Sequence, residues 1–231
     1  MRDLILKMSI SIDGFVSDLD GRNTWMFGAD QEAKAWGVEF IWNSSLHIMR
    51  SRSFRDMAAW WPTSCEQFAA PMNQIPKAVF SRRGPEILRE VSKSAALDEA
   101  RAVNAGTGQP AKLQPGGESW AEAYVASGDL AEEVAKLKAQ EGKPIIAHGG
   151  VSFARSLVAQ GLVDQLALMV APVALGKGLP LFSELAAPMS LKLVSSKAFP
   201  GGRSGADLSA NVNTSENVCS QRTDEVRARY K

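Results

Sequence analysis

Residues 144–160, PIIAHGGVSFARSLVAQ, form a short apolar run that breaks at Gly149 and Gly150 and restarts at Val151 with helical spacing. The pattern predicts a strand, a tight turn and a helix. Two glycines let the backbone turn with no Cβ in the way, and the free N–H groups opening the helix, from Val151 and Ser152, then point at whatever lies over the turn. An anion is the natural occupant of such a place, although ordinary α/β packing uses the same pattern. A second glycine-rich turn, Gly176-Lys177-Gly178, follows a buried strand over residues 165–170. It lacks the GxxxxGK[ST] spacing of a phosphate loop, no serine occupies a G-x-S-x-G elbow, and GxGxxG does not occur. Two histidines, His47 and His148, and two unclustered cysteines, Cys65 and Cys219, cannot supply a standard zinc site. Hydrolase, kinase and metal chemistry are therefore disfavoured. Hydride transfer needs none of these signatures, because a cofactor carries the chemistry and the protein supplies position and field.

These groups must be held by a framework, and the alternation of the chain describes one. Residues 4–12 alternate as a strand. Asp30 is placed to cap a helix whose Ala33, Trp36, Phe40 and Ile41 share a core face. A strand over 46–49, a helix over 53–60 and a strand over 77–81 follow. Residues 84–118, rich in Gly, Pro, Gln and Lys around one helix-like piece at 94–103, read as a surface insertion. A strand is expected over 120–126, then a helix to Gln140 opened by Asp129 and Glu132 in the spacing of a capping box. The Gly149-Gly150 unit, the strand at 165–170 and a strand over 191–198 complete an alternating α/β series in one domain, residues 1–199. Residues 200–224 are polar and read as a flexible loop, reached before an edge strand over 225–231 in which Val226, Ala228 and Tyr230 alternate with charge.

The bulk properties narrow the partners. The chain has 231 residues, 45% of them hydrophobic, enough for one large buried core. Lys plus Arg number 26 against 25 Asp plus Glu, so no basic field of the kind nucleic acid requires is present. No stretch approaches the roughly 18 apolar residues of a membrane span, and no secretory pattern opens the chain. A small-molecule partner, a cytoplasmic location and free thiols are the expectations.

The run from Gly149-Gly150 through GLVD at 161–164 to PVALGKGLPLF at 172–182 resembles the dihydrofolate-reductase-like reductases. It is most similar to the branch of the C-terminal reductase domain of riboflavin biosynthesis. KMSISIDG at 7–14, IPKAVFSR at 75–82 and Trp60-Trp61-Pro62 agree in type and order, so the resemblance covers roughly 1–82 and 119–199. It implies a mostly parallel central sheet flanked by helices, with antiparallel C-terminal strands. It also implies NADPH as cofactor, lying across the strand ends with its pyrophosphate over Gly149, Gly150, Val151 and Ser152. Ser81, Arg82 and Arg83 would then sit by the adenosine ribose, where a guanidinium suits a 2′-phosphate. Gly14 would let the chain pass the nicotinamide while Asp13 shapes the substrate side. Asp13, Asp30 or a water are the candidate proton donors, and Trp25 and Trp61 the substrate walls. The family also commonly pairs through its sheet edge, implying a homodimer.

Two departures accompany the resemblance. Where the family has Gly-Arg-x-Thr-aromatic after strand two, this chain has Arg50-Ser51-Arg52-Ser53-Phe54, with Arg52 and Ser53 left to cradle the cofactor. No Asp-Pro-x-Leu-x-x-Arg element, which contacts the substrate phosphate in the riboflavin pathway, follows Phe54. The expected activity is hydride transfer to a small heterocyclic or carbonyl substrate. A nucleotide-binding module or scaffold without turnover is the alternative.

Overall fold

The computed structural model describes residues 1–28, 30–91, 98 and 112–210. At its centre lies β1 (Leu4–Ser11), which pairs in parallel with β6 (Ile145–His148) on one side and β7 (Gln165–Ala171) on the other. Beyond β6 the sheet continues in parallel through β3 (Leu46–Arg50), β4 (Lys77–Phe80) and β5 (Tyr124–Ala126). Beyond β7 come two antiparallel strands, β10 (Ser204–Ser209) and then β9 (Lys192–Ala198) at the edge. The order of this eight-stranded sheet is β5-β4-β3-β6-β1-β7-β10-β9, and β2 (Phe15–Ser17) pairs separately with β8 (Leu179–Pro180). The mostly parallel sheet with antiparallel C-terminal strands is the expected fold class.

Strands buried on both faces should be apolar on both, and most of these are. One face, carrying Leu4, Leu6, Leu46, Ile48 and Ala78, packs against Val134 and Leu137 of α5 (Leu130–Ala139) and Phe153 and Leu157 of α6 (Val151–Ala159). The other, carrying Met49, Val79 and Ile146, packs against Ile41 of α1 (Gln31–Trp42), Phe54 and Ala58 of α2 (Ser51–Trp60) and Met72 of α3 (Ala69–Gln74). Helices on both faces leave the strand ends as the open edges. The chain leaves β3 toward β4 on one side and leaves β6 toward β7 on the other, so its direction reverses between these neighbours. In open α/β sheets ligands bind at such a reversal, beyond the carboxyl ends of the strands.

Three expectations need correction. Residues 204–209 do not belong to a polar loop: the chain turns at Gly202 and returns at once as β10, pairing with strands on both sides. Small side chains are what this position needs, since a Cβ on Gly205 would come within 3.1 Å of the Trp36 ring. Trp120 is not in a strand. It lies fully buried in a 3-10 turn, Gly117–Glu122, donating from Nε1 to Asn73 Oδ1 at 2.9 Å, and only Tyr124–Ala126 is extended. Nor do the ends of 84–118 lie wholly on the surface: Pro85, Glu86, Arg89, Glu90, Lys112, Pro115 and Glu118 are exposed, but the segment is anchored inward. Ile87 of α4 (Glu86–Arg89) and Val91 are buried in the core, and the Gln114 N–H donates to the Pro62 carbonyl. Most of the helix-like piece at 94–103 and the strand expected at 225–231 lie outside the described residues. Among the described residues no helix is long and apolar enough to cross a membrane.

Candidate functional site

At the reversal between β3 and β6, two helices begin side by side. α2 starts directly after Arg50 and α6 directly after Gly150, and neither first turn has a side-chain cap. The first N–H groups of both helices therefore have no capping side chain, an arrangement that favours negative charge nearby. Gly149 and Gly150 have φ of 50° and 75°, and a Cβ on Gly150 would meet Ser53 Oγ at 3.1 Å. The turn thus packs against the first turn of α2, and only glycine satisfies both the dihedral and the space.

Two cavities flank this crossing. The first, about 850 Å³, is lined by Arg50, Ser51, Ser81, Arg82 and Arg83 facing the 126–130 segment. The second, about 740 Å³, is more apolar. Trp61, Phe68, Met57 and Met72 form walls, and Lys7, Ser9, His148, Gly149 and Gly150 lie at the sheet end.

The sequence candidates divide between these places. Ser81 is buried and its Oγ accepts from the Arg83 N–H at 3.2 Å, tightening the turn after β4. Arg83 is committed to an ion pair with Glu90, which also binds Arg55 at 3.1 Å. Arg82 borders the same cavity with no ion-pair partner among the described residues. The Arg50 guanidinium lies 5.7 Å from the Phe153 ring centroid at the cavity wall. Trp61 lines the apolar cavity. Arg52, Ser53, Val151 and Ser152 lie in the helix first turns without lining either cavity, and Trp25 likewise lines neither. The Trp25 indole N–H is nonetheless buried without a hydrogen-bond partner among the described residues.

Asp13 and Asp30 are not brought together. The Asp13 carboxylate accepts from the Ser11 hydroxyl at 2.6 Å and from the backbone N–H groups of Leu175 and Gly176, tying the turn after β1 to the loop after β7. These bonds, Ser11 first, hold its pKa below the usual carboxylate range. Asp30 caps α1 through the Ala33 N–H and accepts from the Gly201 N–H with its other oxygen, which lowers its pKa in the same way. A Cβ on Gly14 would face open space.

Sequence reasoning gave neither Lys7 nor His47 a role at the site. Lys7 sits on β1 beside His148 of β6 and reaches the apolar cavity 5.9 Å from the Phe68 centroid. Desolvation lowers its pKa to about 8. The available signal was a cation in a strand buried on both faces. Cys65 is exposed, and Cys219 lies outside the described residues.

A family model of the RibD C-terminal domain matches residues 2–203. The uncharacterized protein YyaP of Bacillus subtilis (strain 168) is 38% identical over 207 residues, covering 87% of this chain and 91% of that protein. Among solved structures, a pyrimidine reductase-like protein from Corynebacterium diphtheriae NCTC superposes with a TM-score of 0.55 at 16% identity, over 90% of this chain and 91% of that one. A diaminohydroxyphosphoribosylaminopyrimidine deaminase/5-amino-6-(5-phosphoribosylamino)uracil reductase from Thermotoga maritima does so at 0.58 and 16%, over 90% of this chain and 56% of that one. Likeness at such identity speaks for the fold. The matched span and the sequence relative speak for descent, and on both counts the chain belongs to the RibD C-terminal domain family.

Proposed function

We propose that this chain is an NADPH-dependent reductase that transfers a hydride to a C=N or C=O carbon of a small heterocyclic or carbonyl substrate. The observation that carries the reading is the glycine crossing. Gly149 and Gly150 border the apolar cavity, Arg50 and Ser51 border the basic one, and the two uncapped helices that start after Gly150 and Arg50 pack against each other through Ser53. A dinucleotide has the matching parts: a phosphorylated ribose, a pyrophosphate and a flat ring. The residues fit this cofactor, which when bound supplies the hydride.

In this reading Arg82 holds the 2′-phosphate, since Arg83 is already paired with Glu90. The α2 and α6 N–H groups, with Arg50 beside them, meet the pyrophosphate. Trp61, Phe68 and Met72 exclude water from the apolar cavity, where fixed charges act more strongly. Lys7 holds a proton at its Nζ and gives it to the oxygen or nitrogen that gains negative charge as the hydride arrives. An ammonium whose pKa is about 8 is both protonated and a ready donor near neutrality. Asp13 and Asp30, each bound to backbone N–H groups, keep the architecture of the rim. The edge strand β9 exposes Leu193 and Val194, and pairing of two chains through this edge makes the protein a homodimer in the same reading. Light scattering that returns the mass of one chain rejects the pairing.

Titration of NADPH and NADH tests the cofactor assignment, and NADPH oxidation over a panel of small imines, ketones and heterocycles tests turnover. Charge-assisted hydrogen bonds to a phosphate favour NADPH by about ten- to a hundredfold, and Arg82→Ala should remove that preference. Equal affinities in the wild type reject the assignment. NADPH binding with no oxidation across the panel favours a binding module, in which Arg50 at the cavity wall restricts the site.

A further inference from the structure

His148, which lines the apolar cavity, is paired with a second histidine behind it, His47, and the reductase reading gives neither a role. His47 lies on β3 and His148 on β6, both buried. His47 Nδ1 stands 2.7 Å from His148 Nε2, and His47 Nε2 stands 3.1 Å from the Pro71 carbonyl oxygen in α3. The polarity of this row follows from its far end. A carbonyl can only accept, so His47 Nε2 carries the hydrogen. Burial keeps His47 neutral, its pKa lowered to about 4, which leaves Nδ1 bare. The hydrogen between the rings is therefore on His148 Nε2. His148 is neutral as well, its pKa lowered by burial and by the nearby His47 and Lys7. Its own Nδ1 is bare and has no hydrogen-bond partner among the described residues, and the residue borders the cavity.

Lys7 stands directly beside His148 in the register of β1 on β6, and both line the same cavity. The strand ends thus offer a donor, the Lys7 ammonium, next to an acceptor that Pro71 and His47 prevent from becoming a donor. We propose that the Pro71–His47–His148 row is a hydrogen-bond relay that fixes His148 Nδ1 as an acceptor, so that with Lys7 this cavity selects an amide edge, a carbonyl adjacent to an N–H, and rejects its N-alkylated counterpart. His47 is then a positioning residue and His148 the specificity-determining one. The inference deepens the reductase reading and rests on the cavity being its substrate and nicotinamide end. The same edge occurs in the carboxamide of NADPH and in a cyclic amide substrate, and the two sources are separable.

The chain has only two histidines, so the imidazole 15N spectrum of the labelled full-length protein reports the relay directly. At pH 7 both rings should be neutral, each with a bare Nδ1 and a protonated Nε2. His47→Leu should let the His148 tautomers mix, whereas a merely structural His47 leaves them unchanged. Binding is then measured for two pairs of probes. NADPH against its 3-acetylpyridine counterpart, which has a methyl where the carboxamide has NH2, reads the cofactor as the source. 2-Pyridone against N-methyl-2-pyridone reads the substrate. The wild type should favour the N–H member of at least one pair tenfold or more, and His148→Phe should abolish that preference. A charged ring, a reversed tautomer in the wild type, or no preference in either pair, failure to bind included, overturns the proposal. Pyridone discrimination with no NADPH binding keeps the relay and sinks the reductase reading. NADPH oxidation with no discrimination does the reverse.

Discussion

α1 and α5 begin in one way, α2 and α6 in another. Asp30 Oδ1 accepts from the Ala33 N–H at 2.8 Å, and Asp129 Oδ1 accepts from Ala131 and Glu132 at 2.9 and 3.2 Å. Arg50 and Gly150 occupy the same position on α2 and α6 and cap nothing. A carboxylate at a helix start satisfies the orphan N–H groups and closes the place to other anions. Where the chain omits it, the N–H groups are left for something else, and the two omissions fall together at the reversal between β3 and β6. The contrast extends inward. Asp13 accepts three hydrogen bonds, whereas Lys7 has no ion-pair partner among the described residues, although Glu66 lines the same cavity. The capped starts have satisfied their own polar groups and the uncapped ones have left them open, even though the Asp129 cap lines the basic cavity opposite Arg50 and Ser51.

The sharpest way to break the contrast is to block the open side. Gly150→Val puts a β-branched side chain where the first carbon already meets Ser53 at 3.1 Å and where φ is 75°. Loss of detectable NADPH binding is expected from calorimetric titration. Strain alone does not account for that loss if Gly161→Val, which has a φ of 65° but open space around it, retains cofactor affinity. A folded Gly150→Val protein that binds NADPH normally moves the anion site elsewhere.

Lys7→Met tests whether the open ammonium matters to turnover or only to folding. Loss of a positioned acid costs about 10²- to 10⁴-fold in rate, so kcat should fall within that range. In the wild type kcat should decline as pH rises through about 8. The stability effect has the opposite sign. The folded pKa lies below the unfolded value of about 10.4, so the unfolded chain binds more protons between the two and wild-type stability rises with pH across that window. Lys7→Met should flatten this rise and increase Tm at pH 7. An unchanged kcat removes Lys7 from the proton step.

Arg50→Asp converts an open helix start into a closed one. The backbone at Arg50, φ −86° and ψ 165°, already suits a capping residue, so a carboxylate there should add about 1 kcal/mol of stability. The same carboxylate repels a pyrophosphate, and NADPH affinity should fall about ten- to a hundredfold. Denaturant unfolding and cofactor titration on one variant read both signs. A gain in stability without a loss of affinity means α2 does not meet the anion. Arg50→Gly should leave affinity unchanged or slightly weaker, and a tenfold gain means that Arg50 over Phe153 restricts the cavity.

How far the site could be read from residues alone follows the same division. The Gly149-Gly150 turn was legible because two glycines between a strand and a helix have few other uses, and the Asp30 and Asp129 caps because the pattern is local. The two arginines after β4 look alike in sequence, and only the fold pairs Arg83 with Glu90. β10 escaped because Ser204, Gly205, Ala206 and Asp207 carry no apolar alternation. What makes them a strand is pairing on both sides and the Trp36 ring above Gly205. His47 and His148 are 101 residues apart, so their contact depends on the β3–β6 register.

The smallest expected effect tests the closed side. Asp30 was a candidate acid by position, yet one oxygen caps α1 and the other accepts from the Gly201 N–H at 3.0 Å. Asparagine caps a helix about as well as aspartate, so Asp30→Asn keeps the first bond and removes the charge together with the Gly201 bond, which an amide NH2 cannot accept. Because that charge meets backbone N–H groups rather than the cavity, kcat should stay within about twofold and its decline above pH 8 should be unchanged. Asp30→Ala, which removes the cap as well, should lower Tm while kcat again holds. A large fall in kcat for the asparagine variant, with its Tm preserved, means that the carboxylate reaches the substrate. Asp30 then belongs to the open side, and a cap would no longer mark a helix start as closed to ligand.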